Sequence, residues 1–283
     1  MDLANIRRVV IIAMFSDDEL LRQLTLRGGN ALNLVYGLGS RASVDVDLSL
    51  EEDFLDFDDA RERIFRALKS RFGEVGLIVF DEKMTKRGRD GEVEHNERFA
   101  GYQVDFKLME ADQFKALGND LVRQQIRSMV VGPGEQRTFR VQISKFEYCH
   151  GKREAQFDDY TISVYTPEML AIEKLRAICQ QMPEYKMRPN QTPRARDFYD
   201  IYSIVDGAAV NLSASENLQL TCDIFLAKEV PLVLISKVPQ SRDFHRQDWP
   251  AVEAAVSGAL LPFEFYFDFV VDQIRGLESL WNK

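Results

Sequence analysis

Cysteine and histidine are scarce in this 283-residue chain, with three of each. Cys149, Cys179 and Cys222 stand far apart without a C-x-x-C spacing, which excludes a disulfide framework and a structural zinc site. So odd and sparse a count points to a reducing compartment. His95, His150 and His245 are scattered too, and Cys149 beside His150 makes no nucleophile–base pair, because strand neighbours project to opposite faces. Long apolar runs are also missing. The longest, Val9 to Phe15, falls well short of the roughly 20 residues that cross a bilayer, and no basic-then-apolar leader reads as an export signal. The expected location is the cytoplasm, with no membrane partner. Positive charge is in deficit, with 36 Lys and Arg against 45 Asp and Glu, a formal net charge of −9. That excludes coating of nucleic acid by bulk charge, but not a local basic patch. It also suits a metal site, which concentrates carboxylates. With 45% apolar and 29% charged residues, the chain has the composition of a folded protein, and no internal repeat or low-complexity tract is present.

Periodicity predicts a helix from Ala4 to Phe15. Ser16 and Glu19 have the spacing of a capping box, which predicts a short helix through about Leu24. Leu24 to Leu26 reads as a strand that breaks at Gly28-Gly29, followed by a helix from about Asn30 to Tyr36 that stops at Gly37. Ser43 to Leu50 alternates, with Val44, Val46, Leu48 and Leu50 on one face and Asp45, Asp47 and Ser49 on the other, the pattern of a half-buried strand. An amphipathic helix is expected over 58–70, strands at 76–80 and 102–109, and a polar hairpin loop at 83–98. Further strands are expected at 139–146 and 161–165. From Thr166-Pro167 the pattern turns helical, with Thr166 as cap and Pro167 at the first helical position. Helices are expected at about 167–181, 194–206, 213–227 and 264–281. The expected fold is α+β, a mixed sheet with flanking helices over 1–166 and a mainly helical domain over 167–283.

Three features in the first fifty residues carry chemistry. A Gly-Gly turn opens a helix, so backbone amides and the positive helix end suit a phosphate. The next strand carries Asp45 and Asp47 two residues apart, so both carboxylates project from one face. Their mutual repulsion is relieved by a cation, and Mg²⁺, which shares its oxygen shell with substrate phosphates, is the natural one. Alone, a Gly-Gly is more often a plain turn and a D-x-D more often a solvated strand face. In this order they are far more specific. Asp105, on a strand opposite the apolar face, is a candidate third carboxylate, as metal ligand or as base for an attacking hydroxyl. Equally it reads as a solvated strand residue. Lys83, Lys86, Arg87 and Arg89 cluster in the expected loop, a place to hold an RNA backbone in an otherwise acidic chain.

The run Leu26-Arg-Gly-Gly-Asn-Ala-Leu-Asn-Leu-Val-Tyr-Gly37, followed by Arg41-Ala-Ser43-Val-Asp-Val-Asp-Leu48, resembles the signature of the AbiEii/AbiGii abortive-infection toxins, the nucleotidyltransferase-like proteins of type IV toxin–antitoxin systems. A second block agrees: Thr166-Pro-Glu-Met-Leu-Ala-Ile-Glu-Lys-Leu-Arg-Ala177 and Arg194-Ala-Arg-Asp-Phe-Tyr-Asp-Ile-Tyr202. The resemblance spans roughly 24–206. It implies a minimal nucleotidyltransferase fold that moves a nucleotide from a nucleoside triphosphate (NTP) to an acceptor, a tRNA 3′ end in characterised relatives. It implies Asp45 and Asp47, with Asp105, as ligands of Mg²⁺ or Mn²⁺. Gly28, Gly29, Asn30, Arg41 and Ser43 would surround the phosphates, Lys174 and Asp197 would join catalysis, and a cognate antitoxin would be a partner. Asn30 departs from the family, which usually has threonine or serine there, and that bears on rate or nucleotide preference. From the residues alone, Lys174 is by default a surface lysine with a solvated head, and Arg194, Arg196 and Asp197 an ordinary ion-paired helix start. The competing functions are transfer of a nucleotide or phosphate to a protein or small molecule by the same site, and a catalytically silent binding module. The intact D-x-D argues against silence.

Overall fold

A computed structural model describes residues 1–38, 45–87, 100–132, 134–187 and 190–282. Of these, 1–28, 45–146 and 154–164 form one compact unit, and 29–38, 147–153 and 165–282 form a second. The main run of the second unit thus opens at Tyr165, beside the Thr166 boundary expected from the sequence. It also takes in two earlier segments that a single cut along the chain cannot assign.

The first unit is built on a seven-stranded mixed sheet. Its strands are β1 (Thr25–Arg27), β2 (Val46–Ser49), β3 (Leu77–Arg87), β4 (Gly101–Glu110), β5 (Phe139–Ser144), β6 (Arg153–Phe157) and β7 (Tyr160–Val164). They lie in the order β3-β4-β5-β2-β1-β7-β6. β2 runs parallel to β5 and β1 parallel to β7, while the pairs β1–β2, β3–β4 and β4–β5 are antiparallel. Alternation sends Val46, Leu48, Val104, Phe106, Val141 and Ile143 to one side, where all are buried. α1 (Leu3–Phe15) and α4 (Phe57–Glu74) supply apolar side chains to this core, Val10, Ile11 and Met14 from the first and Ile64, Leu68 and Phe72 from the second. Phe72 meets Phe106 with ring centroids 5.8 Å apart, and Phe106 meets its cross-strand partner Phe139 at 5.5 Å. Each such fully buried ring contributes about 1.5–3 kcal/mol.

Several expectations are corrected. The cap of α2 (Asp18–Gln23) is Asp17, whose carboxylate accepts from the Glu19 and Leu20 amides. Ser16 keeps a helical backbone as the last residue of α1's final turn and spends its hydroxyl on the Ala13 carbonyl, so it is not the start of a capping box. The stretch from Lys83 to Arg87, expected as loop, is the second half of β3. A bulge between Phe80 and Lys83, with Asp81 at φ 51°, lets the strand bend and continue. After β1 the chain becomes helical at Gly28, two residues early, and passes through Ala31–Val35 as a wide π-helical stretch before Gly37 turns at φ 64°. α5 (Ala111–Leu117), α6 (Leu121–Arg127) and β6 were not expected at all.

In the second unit, Thr166 caps α7 (Pro167–Cys179), accepting from the Met169 amide with Pro167 in the first turn, as the sequence predicts. α8 (Ala195–Gly207) and α9 (Ser215–Ala227) follow. A 3₁₀ stretch at Leu232–Ser241, α10 (Arg242–Arg246) and α11 (Trp249–Ala255) fill a span with no predicted element. The helix expected at 264–281 is α12 (Phe263–Arg275), then Gly276, then a 3₁₀ turn at Glu278–Leu280. Phe198 of α8 is the hub of the core here, with Phe267 at 5.0 Å, His245 at 5.2 Å and Phe263 at 5.6 Å. Among the described residues no helix is long and apolar enough to cross a membrane.

Candidate active site

The face of the sheet opposite the apolar core is polar, and strand register sets its residues in rows. One row crosses five strands: Arg27 on β1, Asp47 on β2, Gln142 on β5, Gln103 on β4 and Thr85 on β3. Asp45 stands two residues before Asp47 on the same side of the chain, and both are half-buried. Gln142 donates from Nε2 to Asp45 Oδ2 at 2.9 Å, and its Oε1 accepts from Arg87 Nη1 at 2.6 Å. Arg87 keeps a solvent-facing flank, yet desolvation of its guanidinium lowers its pKa, with Arg27 and Arg140 acting in the same direction. Asp47 and Asp45 act in the opposite one. Arg87 therefore lies within electrostatic reach of both carboxylates and of Arg27 and Arg140, in a chain of net charge −9.

Gly28 joins this row from the end of β1. Its φ of 69° lies in the left-handed region, and a Cβ built on it would stand 2.8 Å from Asp47 Oδ2. Two independent constraints thus require glycine: the backbone conformation and the carboxylate filling the space. The second shows how closely the glycine turn wraps the D-x-D. A pair of carboxylate oxygens, hard donors beside a turn with no side chain, fits a divalent cation that completes its shell with water and phosphate oxygens. Among the described residues no cluster of three or more Asp, Glu, His or Cys forms. Asp105 stands on β4 with all of β5 between it and β2, so its backbone is about 10 Å from theirs. Its oxygens are engaged by Gln103 Nε2 at 2.6 Å and Arg140 Nε at 3.2 Å. The three carboxylates expected as ligands are not brought together; two of them are.

The basic cluster is split as well. Lys83 and Arg87 share the polar face, while Lys86 faces the other way, its Nζ 5.2 Å from the Phe57 ring. Strand alternation, invisible when the segment is taken for a loop, separates them. Gly29 is half-buried and Asn30 buried. Arg41, Ser43 and Arg89 lie outside the described residues.

In the helical unit, Lys174 is not the solvated surface lysine that its sequence context predicts. It is 7% exposed, and its Nζ donates to Asp200 at 2.6 Å and to Asp197 at 3.4 Å. Asp197 also accepts from Arg194 Nε. Burial alone would raise the Asp197 pKa, but Arg194 and Lys174 overcome it and hold the carboxyl well below the usual range. The Arg194 amide in turn donates to His245 Nδ1 at 3.0 Å, and burial lowers the His245 pKa to about 4.

Sequence reasoning missed Gln142, Arg27 and Arg140. Each is placed at the carboxylates by pairing across β1, β2, β4 and β5, and a parallel β2–β5 register leaves no mark on local spacing.

The family model for the nucleotidyltransferase AbiEii toxin of type IV toxin–antitoxin systems matches residues 10–268. The chain belongs to this family. It is a nucleotidyltransferase, and the family associates it with an antitoxin and an NTP substrate. Among solved structures, JHP933 from Helicobacter pylori is similar over 98% of this chain and 91% of its own, with 15% identity and a TM-score of 0.52, which establishes the fold. A candidate nucleotidyltransferase from H. pylori is similar over 98% of this chain and 94% of its own, with 16% identity and a TM-score of 0.47. No curated protein sequence matches the chain.

Proposed function

We propose that this AbiEii nucleotidyltransferase is divalent-cation-dependent and transfers a nucleotide from an NTP to the 3′ end of an RNA, with tRNA as the acceptor. The observation that carries this reading is the closure of the Gly28 turn on Asp47 with arginines alongside. A glycine turn against a carboxylate, with guanidinium groups near by, supports this reading because such groups suit phosphate oxygens and a cation. Asp45 and Asp47 would hold Mg²⁺ or Mn²⁺. A cation so held supplies charge stabilisation to the triphosphate and acidifies a nearby hydroxyl. Gly28 and Gly29 offer main-chain amides without side-chain obstruction. Arg27, Arg87 and Arg140 offset the charge of substrate phosphates, and Lys83 on the same face extends the positive surface toward an acceptor backbone. In the transfer, a terminal hydroxyl of the acceptor attacks the α-phosphorus, its proton passes to base or solvent, and pyrophosphate leaves. Catalysis is then mainly positioning and electrostatics. Lys174 and Asp197 are proposed as catalytic contributors on the resemblance of their helices.

The test is direct. Purified protein is incubated with Mg²⁺, each labelled triphosphate in turn, and either total tRNA or total protein. Label in tRNA that is lost with EDTA and with Asp47→Ala supports the proposal. Label that goes only to protein or to a small molecule refutes the acceptor.

A further inference from the structure

We propose that Gln142 is a positioning residue that aims the Asp45 carboxylate at the cation, and that Arg87 in turn holds Gln142. The inference rests on the metal-dependent reading of the Asp45–Asp47 pair. Gln142 occupies the position on β5 directly paired with Asp47, yet it hydrogen-bonds the other carboxylate, from Nε2 to Asp45 Oδ2 at 2.9 Å. Asp45 stands one residue before β2, whose first register pair with β5 is Val46 with Val141. β5 thus reaches both carboxylates, Asp47 through the register and Asp45 through this side-chain donor. The amide of Gln142 is itself oriented. Its oxygen accepts from Arg87 Nη1 at 2.6 Å, which leaves the NH₂ end to face Asp45. Both ends of this amide are committed, so the chain Arg87–Gln142–Asp45 has one hydrogen-bonding sense. It ties the distal end of β3, which carries the polar-face cations, to the carboxylate pair. Outer partners of this kind govern the orientation of metal-ligating carboxylates, and their loss typically costs 10–100-fold in metal affinity.

Gln142→Leu tests this without altering charge, so any change in cation affinity reports orientation and not field. Mn²⁺ titration followed by electron paramagnetic resonance, on the full-length protein without triphosphate or acceptor, is run on wild type, Gln142→Leu, Gln142→Met and Asp47→Ala. A melting curve accompanies each variant. The expected result is loss of binding in Asp47→Ala and at least a tenfold weaker Kd in the folded Gln142 variants. The near-isosteric Met variant serves if Leu perturbs folding. Arg87→Ala supplies a second reading. Removal of a cation beside two carboxylates should by itself strengthen Mn²⁺ binding, so weaker binding in Arg87→Ala supports the positioning chain. Wild-type affinity in Gln142→Leu and Gln142→Met, with Asp47→Ala inactive for binding, overturns the role of Gln142 alone. Equal Mn²⁺ binding by wild type and Asp47→Ala overturns both this inference and the metal site beneath it.

Discussion

Removal of the Lys174 ammonium should destabilise the helical unit before it tells anything about catalysis. Lys174 is buried with Asp200 at 2.6 Å and Asp197 at 3.4 Å, and Arg194 also pairs with Asp197. The four groups sum to zero charge. Without the lysine, two carboxylates at 1% exposure lose their shared ammonium, while Arg194 still engages Asp197. Breaking a buried ion pair by deleting one partner costs about 3–5 kcal/mol, because the survivor keeps its desolvation penalty without its counter-charge. In a protein of this size that corresponds to a fall in Tm of about 6–15 °C. Lys174→Met, which keeps the aliphatic stem, isolates the charge from the packing. Differential scanning fluorimetry reads the shift, and Lys174→Met/Asp200→Asn should recover part of it, with a coupling of about 1–3 kcal/mol. Transfer assayed 15 °C below the lower Tm then separates stability from chemistry. If Lys174 also acts on the triphosphate, folded Lys174→Met still loses about 10² in rate, the scale of one preorganised electrostatic group. An unchanged Tm would refute the buried-network reasoning, and a wild-type rate in the folded variant would confine Lys174 to structure.

Asp47→Ala should abolish transfer while the variant still folds, and a folded variant with wild-type turnover would end the metal-site assignment. Gly28→Ala should cost about 1–2 kcal/mol from its left-handed φ of 69°, and more from the contact with Asp47 Oδ2. In an Asp47→Ala background only the backbone part should remain, and an identical penalty in both backgrounds would show that the turn does not press on that carboxylate. His245, fully buried with its pKa lowered to about 4, makes stability pH-dependent. The unfolded chain binds the proton near pH 6.5 and the folded one only near 4, so stability present above 6.5 is lost by about 3 kcal/mol as pH falls to 4. His245→Phe should flatten the denaturation midpoint across that window. Lys83→Gln should lower the salt slope of tRNA binding by about one and Lys86→Gln should not, because the two face opposite sides of β3; equal slopes would return both to solvated surface.

Legibility in the sequence followed the range of the interaction that fixes each element. α7 was readable to the residue at its start because Thr166 and Pro167 act within one turn. The D-x-D strand was readable because alternation is local. α6 was not, since Leu121, Val122 and Ile126 are all exposed and only Gln124 is buried, so its apolar residues mark no core-facing stripe. The 3₁₀ and short helical run from Leu232 to Ala255 was missed because it has no single period. Asp45, Asp47 and Gly28 were legible as candidates in the chain itself, whereas Gln142 lies 95 residues beyond Asp47 in number and opposite it in register. Asp105 was overvalued for the converse reason. Its strand and face were predicted, but the intervening β5, which delivers Arg140 to it, was not placed between them.

That interposed strand bears on how an acidic protein handles polyanionic substrates. β5 brings Arg140 between Asp105 and the D-x-D strand, β3 brings Arg87, and β1 brings Arg27, so positive charge is interleaved with the carboxylates across the sheet. Three aspartates and three arginines offset one another around the carboxylates, and Lys83 adds positive charge farther along the same face. The chain as a whole, at net −9, repels nucleic acid at long range. A divalent cation held by Asp45 and Asp47 would shift this region toward net positive and strengthen its attraction for phosphate. Fixed arginines alone could not produce that conditional attraction, because they act whether or not the cation is bound. Fixed carboxylates alone would oppose the triphosphate. On the metal-dependent reading the interleaving would make the cation the deciding charge, and the hydrogen bond proposed to aim Asp45 would then matter more than its modest strength in isolation implies.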